Sequence, residues 1–168
     1  MMKKYVLLLV CLLVIFVGCA KKESQEQVIQ QPNFSKLEQY KDSYAGDNSS
    51  MAAIANELPH RKWFKDMEIK EETIILNFKS DNEMNDNYSS FTGNKEQWQK
   101  EAVIASLFYF LIPRNVKSIQ LHSSNNQSII IEKSHFLFWL KENEIKTDNG
   151  VHEVYKQVIH KKNIDSLF

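Results

Sequence analysis

Three regimes of hydrophobic patterning divide the chain. From Tyr5 to Gly18, fourteen residues run without a charge directly behind Lys3-Lys4. From Ala20 to Asn33 the chain turns polar and glutamine-rich, nearly free of large apolar residues. From Phe34 onward apolar positions return, first at helical spacing, then in alternation, then in one dense block. A short basic start followed by an apolar run is the order of a secretion signal, removed from the mature chain. A membrane span needs about 20 such residues, and a helix of this length rises only about 21 Å. The polar stretch buries too little to offset the entropy of ordering, so it reads as a flexible spacer. The expected organisation is therefore a signal over 1–18, an attachment residue and spacer over 19–33, and a single domain over 34–168.

Within that domain, Leu37, Tyr40 and Tyr44 predict a short helix over 36–43, entered through a capping box made by Ser35 and Glu38. Gly46 is expected to permit a bend closed to other residues, and Asp47, Asn48 or Ser49 to cap a helix over 50–58. The period then drops to two. Met67 and Ile69, then Ile74, Leu76 and Phe78, alternate with polar neighbours on either side of Glu71-Glu72, which predicts a hairpin with one buried face. Residues 80–94 read as an exposed loop, with a strand resuming near 88–91. A helix over 95–112 carries Trp98, Ala102, Ala105 and Tyr109 on one stripe, widened by Val103, Leu107, Phe110 and Leu111. A helix apolar nearly all round must be covered, so this one is expected at the centre, stopping at Pro113. Strands over 116–122 and 128–133 form a second hairpin. Ser134 is placed to cap a helix over 135–142, with a strand through Leu140 as the alternative reading. Val151, Val154, Tyr155 and Val158 predict a last helix, after which Ile164, Leu167 and Phe168 fold back. The expected class is α+β: two antiparallel hairpins forming a sheet against a central apolar helix, with short flanking helices.

Cysteine usage bears on compartment. Cys11 and Cys19 are the only two in 168 residues, and neither lies in the body of the domain. A disulfide-stapled exported domain needs cysteines in its body, so Cys19 is left without an intrachain partner. Val17-Gly18-Cys19-Ala20 resembles a bacterial lipobox. That resemblance implies a diacylglyceryl group on the Cys19 sulfur, followed by cleavage that makes Cys19 the first residue. Two acyl chains give a firm anchor where one holds only reversibly. The full chain balances 21 basic against 21 acidic residues; losing Lys3 and Lys4 leaves 19 against 21. That near-neutral balance offers no basic footprint for nucleic acid.

Candidate chemistry is sparse. The mature body has no thiol and no Gly-x-Ser-x-Gly elbow, and its serine pairs fall in loops. His60, His122, His135, His152 and His160 form no His-Glu-x-x-His and read as isolated surface residues. His152 and His160 stand about 12 Å apart on the last helix. An envelope enzyme would need His60, His122, His135 or His152 brought together from distant segments. The carboxylates Glu71/Glu72, Asp81/Glu83 and Asp86 sit at turns or in the loop, where solvation explains them. That loop lacks the ligand spacing of a calcium site, and four glycines cannot supply a phosphate loop. No cofactor is expected.

The segment Tyr40-Lys41-Asp42-Ser43-Tyr44-Ala45-Gly46-Asp47-Asn48-Ser49, continuing to Leu58-Pro59, resembles the opening of a small family of extracytoplasmic domains of unknown function. Its members occur in Gram-positive lipoproteins and outside the membrane in some sensor-type membrane peptidases. Tyr44, Gly46, Asp47, Asn48, Ser49, Ile54, Leu58 and Pro59 carry the likeness, which extends over about residues 36–145. It implies an extracytoplasmic lipoprotein domain and no particular chemistry. At Gly46, Asp47, Asn48 and Ser49 the helix N-terminus could hold an anion or a peptide carboxylate; the simpler expectation is that these side chains cap the helix themselves. Taken together, the chain is expected to be a non-enzymatic, lipid-anchored binding domain for an envelope protein or cell-wall component. A small-ligand sensor with a pocket around Asp47–Ser49 is the alternative.

Overall fold

The computed structural model describes residues 30–84, 91, 93–161 and 164–168, apart from the side chain of Asp81. The apolar run, Cys19, Asp86 and most of the strand expected at 88–91 lie outside the described residues. In order, the chain forms α1 (Phe34–Leu37), α2 (Asn48–Ala55), β1 (Phe64–Lys70), β2 (Thr73–Phe78), α3 (Lys95–Leu111), β3 (Ser118–Ser123), β4 (Ser128–Glu132), α4 (Lys133–Glu142) and α5 (Val151–Ile159). The fold is α+β, with a four-stranded mixed sheet and five α-helices among the described residues.

Strand order follows the sequence, β1-β2-β3-β4. The outer pairs are antiparallel, and the inner pair β2-β3 is parallel. The expectation of a sheet built from antiparallel pairs alone is thus corrected at its centre. A parallel pair needs a long crossover, which α3 supplies between Phe78 and Ser118. Register aligns two apolar rows across all four strands. One is Ile69, Ile74, Ile119 and Ile131; the other is Met67, Leu76, Leu121 and Ile129. Alternation sends these toward α3 and leaves Glu68, Gln120 and Ile130 on the other face.

Every residue of α3 from Ala102 to Phe110 is buried. The helix meets β3 and β4 on one side and α2, α4 and α5 on the others. Its Tyr109 hydroxyl donates to the Met51 carbonyl at 2.8 Å, which ties α2 to the central helix. Burial also pushes that phenol well above its ordinary pKa.

Helix ends differ from expectation where distant groups take over the capping. Asn33, not Ser35, caps α1, accepting from the Lys36 N–H at 3.1 Å. The reciprocal carboxylate is not Glu38 but Glu57: it accepts from the Asn33 N–H at 3.0 Å and from Lys36 Nζ at 2.7 Å. With Asn33 in place α1 starts two residues early, then tightens into a 3-10 turn over Glu38–Tyr40. Gln30, at the end of the expected spacer, donates its N–H to the Pro59 carbonyl at 3.3 Å, and Pro32 is buried. Helix α4 follows β4 without a break, beginning at Lys133 rather than His135. Its buried Phe136, Trp139 and Leu140 sit at helical spacing, which overrides the strand alternative.

Glu57 gives the fold a pH dependence of definite sign. Burial pushes its carboxyl pKa up, but the Lys36 hydrogen bond, the Asn33 N–H and the nearby positive charges outweigh that and hold it below the ordinary glutamate value. A depressed native pKa adds stability above the unfolded value and loses it as pH falls through the native one. The urea midpoint is therefore expected to fall between roughly pH 6 and pH 3, and Glu57→Gln to flatten part of that fall. An unchanged pH profile in the variant would show that Glu57 does not hold α1 in place.

Candidate functional site

The segment around Gly46 is a structured turn. Asp47 caps α2: one carboxylate oxygen accepts from the Ser49 and Ser50 N–H groups at 3.1 Å, the other from the Ser50 hydroxyl at 2.6 Å. The Ser50 hydroxyl, and then its N–H, hold the Asp47 pKa below the usual range. Gly46 does not use the freedom expected of it. Its φ lies outside the left-handed region, and a Cβ there would meet nothing within 4 Å. Gly46→Ala is expected to leave stability unchanged or raise it by up to about 1 kcal/mol, as a thermal melt would show. The turn is fastened from the far end of α3. Asn115 Oδ1 accepts from the Ala45 N–H at 2.7 Å, and Arg114 Nε pairs with Asp42 at 3.1 Å.

The expected carboxylate pairs also have structural partners. Glu71 takes a positive φ in the β1-β2 turn, while Glu72 pairs with Lys117. Glu83 accepts from the Ser80 N–H at 2.7 Å, and Asp81 opens the 3-10 turn Asp81–Glu83. Four of the five histidines go to separate places. His122 lies on the outer sheet face against Gln120, His135 is exposed on α4, His152 stacks on Phe34, and His160 ends α5. Among the described residues no three His, Cys, Asp or Glu side chains converge on a metal position.

His60 is the exception, and sequence reasoning misplaced it on the surface. It is 5 % exposed, and its Nδ1 stands 2.7 Å from Oε2 of Glu101, which is fully buried on α3. The ring stacks on Phe91 with centroids 4.2 Å apart and meets the edge of Trp63. Neither partner is fully satisfied: His60 Nε2 and Glu101 Oε1 have no hydrogen-bond partner among the described residues. A sequence signal existed. Glu101 lies three residues after Trp98 and one before Ala102, inside the stripe that must be buried. A carboxylate there demands a partner from another element.

His60 also lines a cleft of about 320 Å³. Its walls are the Pro59-His60 turn, a flank of α3 carrying Gln97, Lys100 and Ile104, and the α5 side chains Tyr155 and Val158. Gln31 joins the lining from the segment that enters the domain. The side-chain oxygen of Gln97 is a further buried acceptor without a partner among the described residues. Burial, then the nearby Glu101 charge, push the Tyr155 phenol pKa up. A larger cleft of about 540 Å³ lies by Glu38, Lys41, Thr147, Asp148, Gly150 and Val151, but none of its lining residues carries one of the buried unpaired polar atoms found among the described residues. The His60 cleft thus combines an apolar wall, a basic residue and unsatisfied polar atoms, as small-molecule sites do. Asp47 and His60 lie at opposite ends of α2, whose eight residues rise about 12 Å, so the expected site and this cleft are separate.

Residues 37–135 match the family described as domain of unknown function DUF4825. The chain belongs to that family. No curated protein and no solved structure matches it. Within the DUF4825 match fall the Asp47 turn, His60, Gln97, Lys100 and Glu101, whereas the α5 wall of the cleft lies beyond it. The buried pair therefore belongs to the DUF4825 portion, and the opposite wall is supplied by the following segment. No helix among the described residues is long and apolar enough to cross a membrane.

Proposed function

We propose that this DUF4825 protein is a lipid-anchored, extracytoplasmic binding domain of a Gram-positive envelope, tethered through Cys19 and non-enzymatic, with the His60 cleft as its recognition site. The observation that carries the binding half is the buried pair His60–Glu101, of which His60 lines the cleft, with one polar atom on each partner unpaired among the described residues. A half-satisfied buried pair weakens a fold compared with an apolar substitute, so its presence beside a cleft is better accounted for by recognition than by stability. The anchoring half rests on the 14-residue apolar run, the lone cysteine at its end and the lipobox-like sequence around it. Gln31 at the cleft lies twelve positions beyond Cys19, at most about 43 Å of extended chain, so an anchored protein would keep its site close to the membrane.

Two measurements test the halves separately. Fatty-acid labelling in cells should mark the wild-type chain and be abolished by Cys19→Ser; label that persists in the variant refutes the anchor. A fragment screen read by NMR on the full chain in lipid nanodiscs should find small molecules that shift residues around His60. Hits confined to other surfaces, the Asp47 turn included, would remove the cleft from consideration. A second reading is an envelope enzyme, since a carboxylate beside an imidazole is also how a general base is oriented. Turnover of a cell-wall fragment that disappears in His60→Gln would favour it.

A further inference from the structure

The geometry points to a carboxylate on a short hydrocarbon body as the ligand class of the His60 cleft. This rests on the binding reading above and narrows it. His60 lines the cleft and is 5 % exposed, and its Nε2 has no hydrogen-bond partner among the described residues. A ligand carboxyl group can supply that partner in either form, accepting from an N–H through an oxygen or donating its own O–H to a bare nitrogen.

Two further features choose its charge and body. Lys100 and Lys161 both line the cleft. Among the described residues Lys100 pairs with Glu96, at 2.6 Å in an exposed i,i+4 pair of the kind that contributes little. Lys161 Nζ donates to the Asn143 carbonyl at 3.1 Å, which uses one of the three N–H donors of an ammonium group. Among the described residues the lining holds no acidic side chain, and Glu101 behind it is paired with His60. Val103, Ile104, Val158, Ile159 and Ile164 form the apolar part of the wall, beside Gln31 and Gln97. An anionic head on an apolar body satisfies both parts, and at about 320 Å³ the space is near the lower limit of ordinary ligand sites. The carboxylate would come either from a fatty acid, reachable from a nearby bilayer, or from an acylated apolar amino acid.

The test uses the full chain in phospholipid nanodiscs with ¹³C-labelled histidine, the His60 signal assigned by its loss in His60→Gln. Octanoate, N-acetylleucine, octanol and octylammonium are titrated, with empty nanodiscs correcting for partition into lipid. Saturable shifts of His60 by octanoate support the fatty-acid source, and shifts by N-acetylleucine alone support the amino-acid source. Lys100→Gln and Lys161→Gln are each expected to weaken binding about threefold to tenfold, with added salt acting in the same direction. Ile159→Trp, made at a partly exposed position of the wall, should fill the space and abolish the shift. Equal binding of octanol or octylammonium overturns the inference while leaving the cleft as a binding site. No saturable shift by any of the four below about 10 mM overturns the inference, though the fragment screen can still find a different ligand there. Octanoate shifts that survive Ile159→Trp place the amphiphile elsewhere and also overturn it.

Discussion

Glu101→Ala is expected to destabilise the domain by about 3–5 kcal/mol, a large share of the 5–15 kcal/mol that holds a typical domain together. The substitution leaves His60 with neither nitrogen paired in a position only 5 % exposed, and it opens a void beside the fully buried flank of α3. Removing the imidazole instead leaves a carboxylate with no partner, which is at least as unfavourable. The double variant His60→Phe/Glu101→Met should recover much of the loss. A phenyl ring keeps the stack on Phe91, at 4.2 Å in the native protein, and a methionine fills the carboxylate's volume without a polar atom. Urea unfolding of the two single variants and the double completes the cycle. If the double variant falls by the sum of the singles, the two side chains do not act on each other and the pair is not a unit. A loss under about 1 kcal/mol for Glu101→Ala would mean that water reaches the pair in solution.

What the sequence revealed depended on how far apart the cooperating residues stand. Both hairpins were legible because alternation is local and each strand's antiparallel partner lies a few residues away, as with Ile69 opposite Ile74 or Leu121 opposite Ile129. The parallel pairing of Ile74 with Ile119 spans more than forty residues and has no local signature. It follows from α3 crossing over the sheet, which the chain's periodicity does not specify. The helix ends show the same limit. A local capping rule selects Ser35 and Glu38, yet Asn33 makes the cap and the reciprocal carboxylate arrives from Glu57, 24 residues later. The candidate site was least legible of all, because His60 is an ordinary polar residue until a carboxylate 41 positions away faces it. The motif around Asp47 stood out in sequence for the opposite reason. Its hydrogen bonds close within four residues, which is what a helix cap requires and what a ligand site does not.

The other large effect is expected at the aromatic knot under the same pair. Phe78 closes β2 with 1 % of its surface exposed, and its ring meets Trp98 edge-on at 5.3 Å, Phe91 at 6.1 Å and Phe64 at 6.1 Å. These neighbours come from β1, from the approach to α3 and from α3 itself, so no single movement can fill the space left by truncation. Phe78→Ala should therefore lie near the upper part of the 3–5 kcal/mol range for buried aromatic truncations. Ile130→Ala, on a side chain 59 % exposed on the outer sheet face, should stay within about 0.5 kcal/mol and serves as the control. Because Phe91 contacts both Phe78 and His60, loosening the knot should also broaden the His60 ring resonance. A Phe78→Ala loss no larger than the control would mean that the knot is not packed. A full loss of stability with an unaltered His60 signal would show that the buried pair is held by α3 alone, independently of the aromatic cluster beneath it.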